Sequence, residues 1–278
     1  MTPRFLGAAE VARRLTADRA ADALEAALRA GLDPGADPPR AVLEVAGGEL
    51  LVMPSAAAGQ PAVKLVTVGG EPRVQGICVV FDAATLAPAA LVDGIALTNL
   101  RTAAVSALAV RHLAPAGARR LLVFGRGPQA HAHVAAMRAV RPIDRVDVAG
   151  RETTGIDALV RAADVICCCT TARAPLFDGA LVADHATVVA IGSHEPGARE
   201  TDDALARRAT VVVESRASAL REAGDVIGAI AAGALAEDAL LELGELVRGE
   251  RGAAPGRPRL FKSTGMAWED AVVAAALV

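Results

Sequence analysis

The chain has 278 residues, is 53% hydrophobic and carries a net charge of -3, so it can bury one large core or two modest ones. Its basic residues are scattered among acidic ones and its aromatic content is only 2%, which argues against a nucleic-acid partner and against stacking platforms for bases or sugars. The cysteines, Cys78 and the run Cys167-Cys168-Cys169, have the spacing of neither a zinc site nor a disulfide framework; with no signal-peptide pattern and no apolar run of roughly 18 residues, a soluble cytoplasmic protein with reduced thiols is expected.

In chain order, Ala8 to Ala30 places apolar residues at helical spacing and stops at Gly31. After a loop rich in Pro and Gly come runs with strand character: Ala41 to Val45, Glu49 to Met53, Val63 to Val68 and Ile77 to Phe81, with Gly47-Gly48 as a hairpin turn and further extended residues near Ala89 to Val92. This first part reads as a helix plus a mostly antiparallel sheet. From Leu97 the rhythm changes. A helix to Leu113 leads to strand Arg120 to Phe124, helix Pro128 to Val140, strand Arg145 to Val148, helix Gly155 to Ala163 and strand Val165 to Thr170. Strand Thr187 to Ile191, helix Asp202 to Arg208 and strand Thr210 to Glu214 continue the alternation, and the tail from Leu260 offers a short extended piece and an apolar helix. Strands alternating with helices imply a Rossmann-type, doubly wound parallel sheet covered on both faces.

The strongest local feature is Leu121-Leu122-Val123-Phe124-Gly125-Arg126-Gly127-Pro128-Gln129-Ala130, a buried strand running into Gly-x-Gly-x-x-Ala at the start of a helix. Gly125 would permit the tight turn, Gly127 the approach of a pyrophosphate, and Ala130 close packing of helix on strand, while Pro128 is tolerated at the first helical position. The competing reading is a plain glycine turn; the strand-turn-helix-strand context favours the dinucleotide. The second strand keeps Asp147 in its middle and carries Arg151 at its tip, where arginine would pair with a 2′-phosphate, so NADPH is favoured with NADH possible.

Several segments, in order, resemble the ornithine cyclodeaminase/mu-crystallin family. They are Met53-Pro54, Lys64 to Val68, Leu97-Thr98-Asn99-Leu100-Arg101-Thr102-Ala103-Ala104, the glycine turn, Thr170-Thr171, Gly192-Ser193-His194-Glu195-Pro196-Gly197-Ala198-Arg199-Glu200 and Phe261-Lys262-Ser263-Thr264-Gly265. The resemblance implies a smaller α+β substrate and dimerisation domain over residues 1–100, completed by 266–278, and a Rossmann domain over 101–265. It also implies a homodimer and a nicotinamide used on 2-amino or 2-imino acids, by cyclodeaminases, alanine-type dehydrogenases or reductases of cyclic ketimines. Departures from the family are the short loop Gly69-Gly70-Glu71-Pro72-Arg73 and an early end at Val278, both touching the substrate domain.

By resemblance, Arg40, Lys64 and Arg101 converge on the substrate carboxylate. Local sequence supports each: Lys64 interrupts an apolar strand where an unpaired ammonium is costly, Arg101 lies near the start of an apolar helix, and Arg40 follows Pro38-Pro39. Thr102, Thr170, Thr171, Ser263 and Gly265 would sit near the cofactor together with the glycine turn and Arg151. His194 stands where cyclodeaminases carry an aspartate, and it either protonates a reduced imine nitrogen or lines the cleft. The expected activity is therefore NAD(P)H-dependent reduction of a cyclic ketimine or small 2-imino acid, with Lys64 or His194 as proton donor. A cyclodeaminase, an alanine-type dehydrogenase and a non-catalytic NADPH or small-ligand binder are the rivals. His131 and His133 fall on different helix faces, which argues against a shared metal, and the cysteine run reads as a core-filling strand.

Overall fold

A computed structural model describes residues 3–278, which form two compact units. One comprises the chain up to Val105 together with Met266–Val278, the other Ser106–Gly265.

The first unit contains β1 (Arg4–Leu6), α1 (Ala8–Arg14), α2 (Ala17–Arg29), β2 (Ala41–Val45), β3 (Gly48–Ser55), β4 (Ala62–Val68), β5 (Val74–Phe81), β6 (Pro88–Asp93), the start of α3 (Gly94–Leu113) and the last helix, α10 (Ala267–Ala275). Among the described residues its sheet runs β1-β6-β5-β4-β3-β2, antiparallel except for the β1–β6 pair. The single helix expected over Ala8 to Ala30 is two. Leu15 and Thr16 are extended, Thr16 takes the position before α2, and Asp18 falls in the first turn, where negative charge is favoured. α2 buries Ala20, Leu24 and Leu28 on one face and packs on α10. α10 also crosses β3, β4 and β5, and its residues Ala267 to Ala274 are all buried. β2 lies at the sheet edge with all five of its residues exposed.

The second unit holds β7 (Arg120–Phe124), α4 (Pro128–Val140), β8 (Arg145–Ala149), α5 (Ile156–Ala162), β9 (Val165–Cys168), β10 (Thr187–Ala190), α6 (Asp203–Arg208), β11 (Thr210–Val213), α7 (Arg216–Glu222), α8 (Gly224–Ala231), β12 (Leu241–Glu242), α9 (Leu243–Val247) and β13 (Arg259–Lys262). Among the described residues its strands pair in parallel in the order β12-β11-β13-β10-β9-β7-β8. β9 and β10 are buried at every residue, as expected for Val, Ile and Cys strands covered on both faces. From β7 the chain steps outward to β8 and returns to β9 on β7's other side, so the order reverses at β7; in such sheets the crevice above the carboxyl ends at this point receives ligands. The tail's extended piece is β13, inserted between β10 and β11 in the middle of the sheet. β9 and β10 end sooner than Thr170 and Ile191. Each ladder adds one bond, from Cys169 and Ile191, before the next amides, Thr170 and Gly192, turn to the Glu200 carboxylate. Among the described residues no helix is long and apolar enough to cross a membrane.

Candidate active site

In the second unit, β7 delivers the chain into Gly125, whose φ of +112° is one that side-chain-bearing residues rarely adopt. A Cβ there would stand 2.4 Å from the Cys169 carbonyl oxygen, so the turn accepts only glycine. Gly127 is the N-cap of α4, Pro128 opens the helix, Gln129 is half-buried and Ala130 is buried against the strand. A Cβ on Gly127 would meet nothing within 4 Å, so open space lies directly over the first turn, whose amides lack intrahelical acceptors. That space, those donors and the helix dipole suit a diphosphate.

At the neighbouring strand, Asp147 sits mid-strand and is engaged by Arg145 at 3.0 Å. The tip beyond buried Ala149 carries Gly150 and the exposed Arg151. The Arg126 side chain lies against Gly150, its Nε 3.4 Å from where a Cβ would be, and Gly150 N–H donates to Thr153 Oγ1 at 2.9 Å, closing the turn.

The other candidates at the strand ends are held by buried carboxylates. Glu200 accepts from the Thr170 amide (2.8 Å), the Thr170 hydroxyl (2.7 Å) and the Gly192 amide (2.7 Å), while Thr171 is exposed beside it. Ser263 donates to Glu214 at 2.6 Å, and the Thr264 and Gly265 amides donate to the same group at 2.9 and 3.2 Å. Lys262 donates to the Ser193 carbonyl at 2.8 Å and pairs with Asp225 at 3.1 Å, so the residue before half-buried His194 is anchored by a buried lysine. Burial pushes the Glu200 carboxyl up to about 7 against the pull of Lys262 and its donors. Asp225 is below its usual value: burial opposes this, but Lys262 and the Thr201 bonds outweigh it.

In the first unit, Lys64 and Arg101 come together. Lys64 Nζ is 2.7 Å from Asp270, Arg101 Nε is 3.2 Å from Asp270, and Arg101 Nη1 donates to Glu269 at 2.7 Å; all four side chains are nearly inaccessible. Burial drives the Lys64 ammonium down to about 8, with Asp270 opposing and Arg101 reinforcing the fall. Cys78, opposite Lys64 on β5, is pushed up to about 12 by burial and by Asp270. Arg40 is half-buried one residue before β2. Since Ala41 pairs with Val52 and Met53 pairs with Lys64, Arg40 stands in line with Met53 and Lys64 on the sheet. Thr102 is buried on α3 beside Arg101.

Sequence reading missed Glu200, Glu214, Asp225, Lys262, Glu269 and Asp270. The available signal was charge where burial is expected: an acidic pair in an apolar helix, and a lysine and a glutamate ending apolar strands. His133 is fully buried on α4, bonded to the Gln129 carbonyl (2.8 Å) and the Ser106 hydroxyl (2.9 Å), and burial lowers it to about 4. Exposed His131 bonds to the Gly127 carbonyl, and no cluster that could hold a metal exists among the described residues. Burial raises the thiols of Cys167, Cys168 and Cys169, which removes them as nucleophiles.

A parallel sheet with a Gly-x-Gly-x-x-Ala turn at its switch point, on a chain whose other unit buries two cations, defines a two-unit protein of the Rossmann class. The family model for the ornithine cyclodeaminase/mu-crystallin family matches residues 1–163 and 154–278, and the chain belongs to that family. It is 37% identical to ketimine reductase mu-crystallin of Rattus norvegicus, over 85% of this chain and 82% of that one. It is 34% identical to delta(1)-pyrroline-2-carboxylate reductase of Colwellia psychrerythraea, over 71% of each. Among solved structures it is similar to Thermococcus litoralis delta(1)-pyrroline-2-carboxylate reductase in complex with NADH and L-proline, with a TM-score of 0.90 and 27% identity, covering 99% of this chain and 96% of that one.

Proposed function

We propose that this protein is an NAD(P)H-dependent reductase of a cyclic ketimine or small 2-imino acid of the pyrroline-2-carboxylate kind. The observation that carries the reading is the buried Lys64–Arg101 pair, fixed by Asp270 and Glu269, in a chain that also carries a dinucleotide turn. Arg40, in line with Lys64 on the sheet, joins Lys64 and Arg101 as the third cation for the substrate carboxylate. Lys64, brought down to about 8, is an acid close to neutral pH and serves as proton donor to the imine nitrogen, with His194 as the second candidate.

Gly125, Gly127, Pro128, Gln129 and Ala130 would hold the pyrophosphate, and Thr102, Thr170, Thr171, Ser263 and Gly265 would line the remainder of the cofactor. When bound, the dinucleotide supplies the hydride that reduces the C=N carbon beside the carboxylate. NADPH is the preferred form: the second strand's tip offers Arg151, with Arg126 against Gly150, and its aspartate is engaged mid-strand. The exposed edge strand β2, with Val42, Leu43 and Val45 about half accessible, supports a homodimer. Four free cysteines fit a cytoplasmic setting.

The test is to mix the protein with NADPH and pyrroline- or piperideine-2-carboxylate and follow the reduced-nicotinamide absorbance. Steady loss is expected, with Lys64→Met lowering kcat/KM by about 100-fold or more. Tight NADPH binding without turnover, or ammonia release from ornithine with no net cofactor consumption, would overturn the reading.

A further inference from the structure

We propose that Glu200, backed by Asp225 and Lys262, is a positioning residue for dinucleotide binding, holding the loops Thr170–Ala172 and Gly192–His194 in the shape that receives the nicotinamide half. The inference rests on the dinucleotide part of the reading above.

The chain that carries His194 runs from Gly192 to Glu200, whose carboxylate points back eight residues to the Gly192 amide and across to the neighbouring strand end. One oxygen takes both Thr170 donors and the other takes Gly192 N–H. Thr170 Oγ1 then accepts from Ala172 N–H at 3.1 Å, which extends the hold along its loop. At Gly192 a Cβ would fall 2.0 Å from the Thr170 carbonyl oxygen and 2.4 Å from Glu200, so the two loops are in backbone contact around the carboxylate. The far end of this Gly192–Glu200 stretch is fixed by Asp225, which accepts from Glu200 N–H (2.9 Å), Thr201 N–H (2.7 Å) and the Thr201 hydroxyl (2.8 Å). Lys262 joins Asp225 to the Ser193 carbonyl, so His194 is bracketed by anchored residues on a loop pinned at both ends.

Stability alone does not account for this set. Buried ion pairs replaced by well-packed apolar residues of similar volume are often no less stable, whereas here every bond the carboxylates accept, and the lysine's bond to Ser193, fixes loop backbone or a loop hydroxyl above the strand ends. The groups facing Glu200 are Lys262 from β13, Asp225 from α8 and the thiols of Cys167, Cys168 and Cys169 on or next to β9, which burial keeps protonated. Glu200 is thus the member of the cluster that titrates near neutrality, at about 7. A protonated carboxyl carries a hydrogen where an amide donor points and loses one of its three bonds.

NADH affinity is measured by nicotinamide fluorescence from about pH 5.5 to about pH 8.5, without substrate. The wild type is expected to bind about 5- to 10-fold more weakly on the acid side of an inflection near pH 7, and Glu200→Gln to bind weakly with no inflection. His194→Ala is expected to keep the inflection. Thr170→Val, which removes one donor, is expected to move it to higher pH, and this arm stands even if Glu200→Gln does not fold. A flat wild-type profile, or Glu200→Gln retaining the inflection, overturns the positioning role and leaves the reductase reading intact. No binding of either NADH or NADPH at any pH overturns both.

Discussion

At the residue scale, Lys64 and Asp270 define each other. An ammonium 2% exposed on an apolar strand has lost its water, which favours the neutral amine, and the carboxylate at 2.7 Å restores part of the preference for charge. The balance leaves Lys64 at about 8, so its protonated form prevails below that pH and disappears above it. If the cation binds substrate or gives up a proton, kcat/KM falls as pH rises through about 8. Asp270→Asn removes the attraction and keeps the shape, so the alkaline limb is expected to move down by about one pH unit and kcat/KM at neutral pH to drop several-fold. The check is a pH-rate profile for both proteins; a lower melting temperature with an unmoved limb would reduce Asp270 to packing. The cations were legible as residues that a buried strand and helix should not hold. Their partnership was not, because the acidic pair Glu269 and Asp270 lies at the far end of the chain and only folding returns α10 to β4.

At the scale of elements, the β7 turn into α4 separates two kinds of glycine that look alike in sequence. Gly125 has a left-handed φ and a carbonyl oxygen 2.4 Å from any added Cβ, so Gly125→Ala is expected to cost about 1–3 kcal/mol of stability or more. Gly127 has an ordinary φ of −82° and empty space around the missing Cβ, so Gly127→Ala, at an N-cap where alanine is the poorer residue, is expected to lower the melting temperature far less than Gly125→Ala. It should nonetheless weaken NADH about 10-fold, because the methyl enters the space a diphosphate needs. Thermal melts and fluorescence titrations on the two variants check this; a Gly127→Ala protein binding NADH like the wild type would remove the diphosphate from that turn. The alternation of strand and helix, and the strand that feeds this turn, were readable because period and composition are local properties. The break between α1 and α2 was masked by unbroken helical spacing across Leu15-Thr16. The central place of β13 could not be read from its four residues, because its partners β10 and β11 lie far upstream and only long-range pairing sets the order.

For the molecule as a whole, two buried groups of the second unit make stability respond in opposite directions to mildly acidic pH. His133 is held neutral at about 4 against an ordinary 6.5, so between those values the unfolded chain binds the proton more tightly and stability is lost as pH falls. Glu200 is raised to about 7 against an ordinary 4.5, so in that window the folded chain binds the proton more tightly and stability is gained as pH falls. The windows overlap from about 6.5 to about 4.5, where the two contributions oppose each other. The wild type should therefore show a shallower pH dependence of its melting temperature in this window than a variant that keeps one of the two groups. Glu200→Gln removes the compensating group, so its melting temperature should fall steadily as pH drops across the same window. Replacing His133 by glutamine, which keeps an amide for the Gln129 carbonyl and the Ser106 hydroxyl, should reverse the slope and make the protein gain stability on acidification. Melting curves of the three proteins across the window decide it. Parallel profiles would mean that neither buried group carries the proton balance assigned to it, whereas opposite slopes in the two variants identify both.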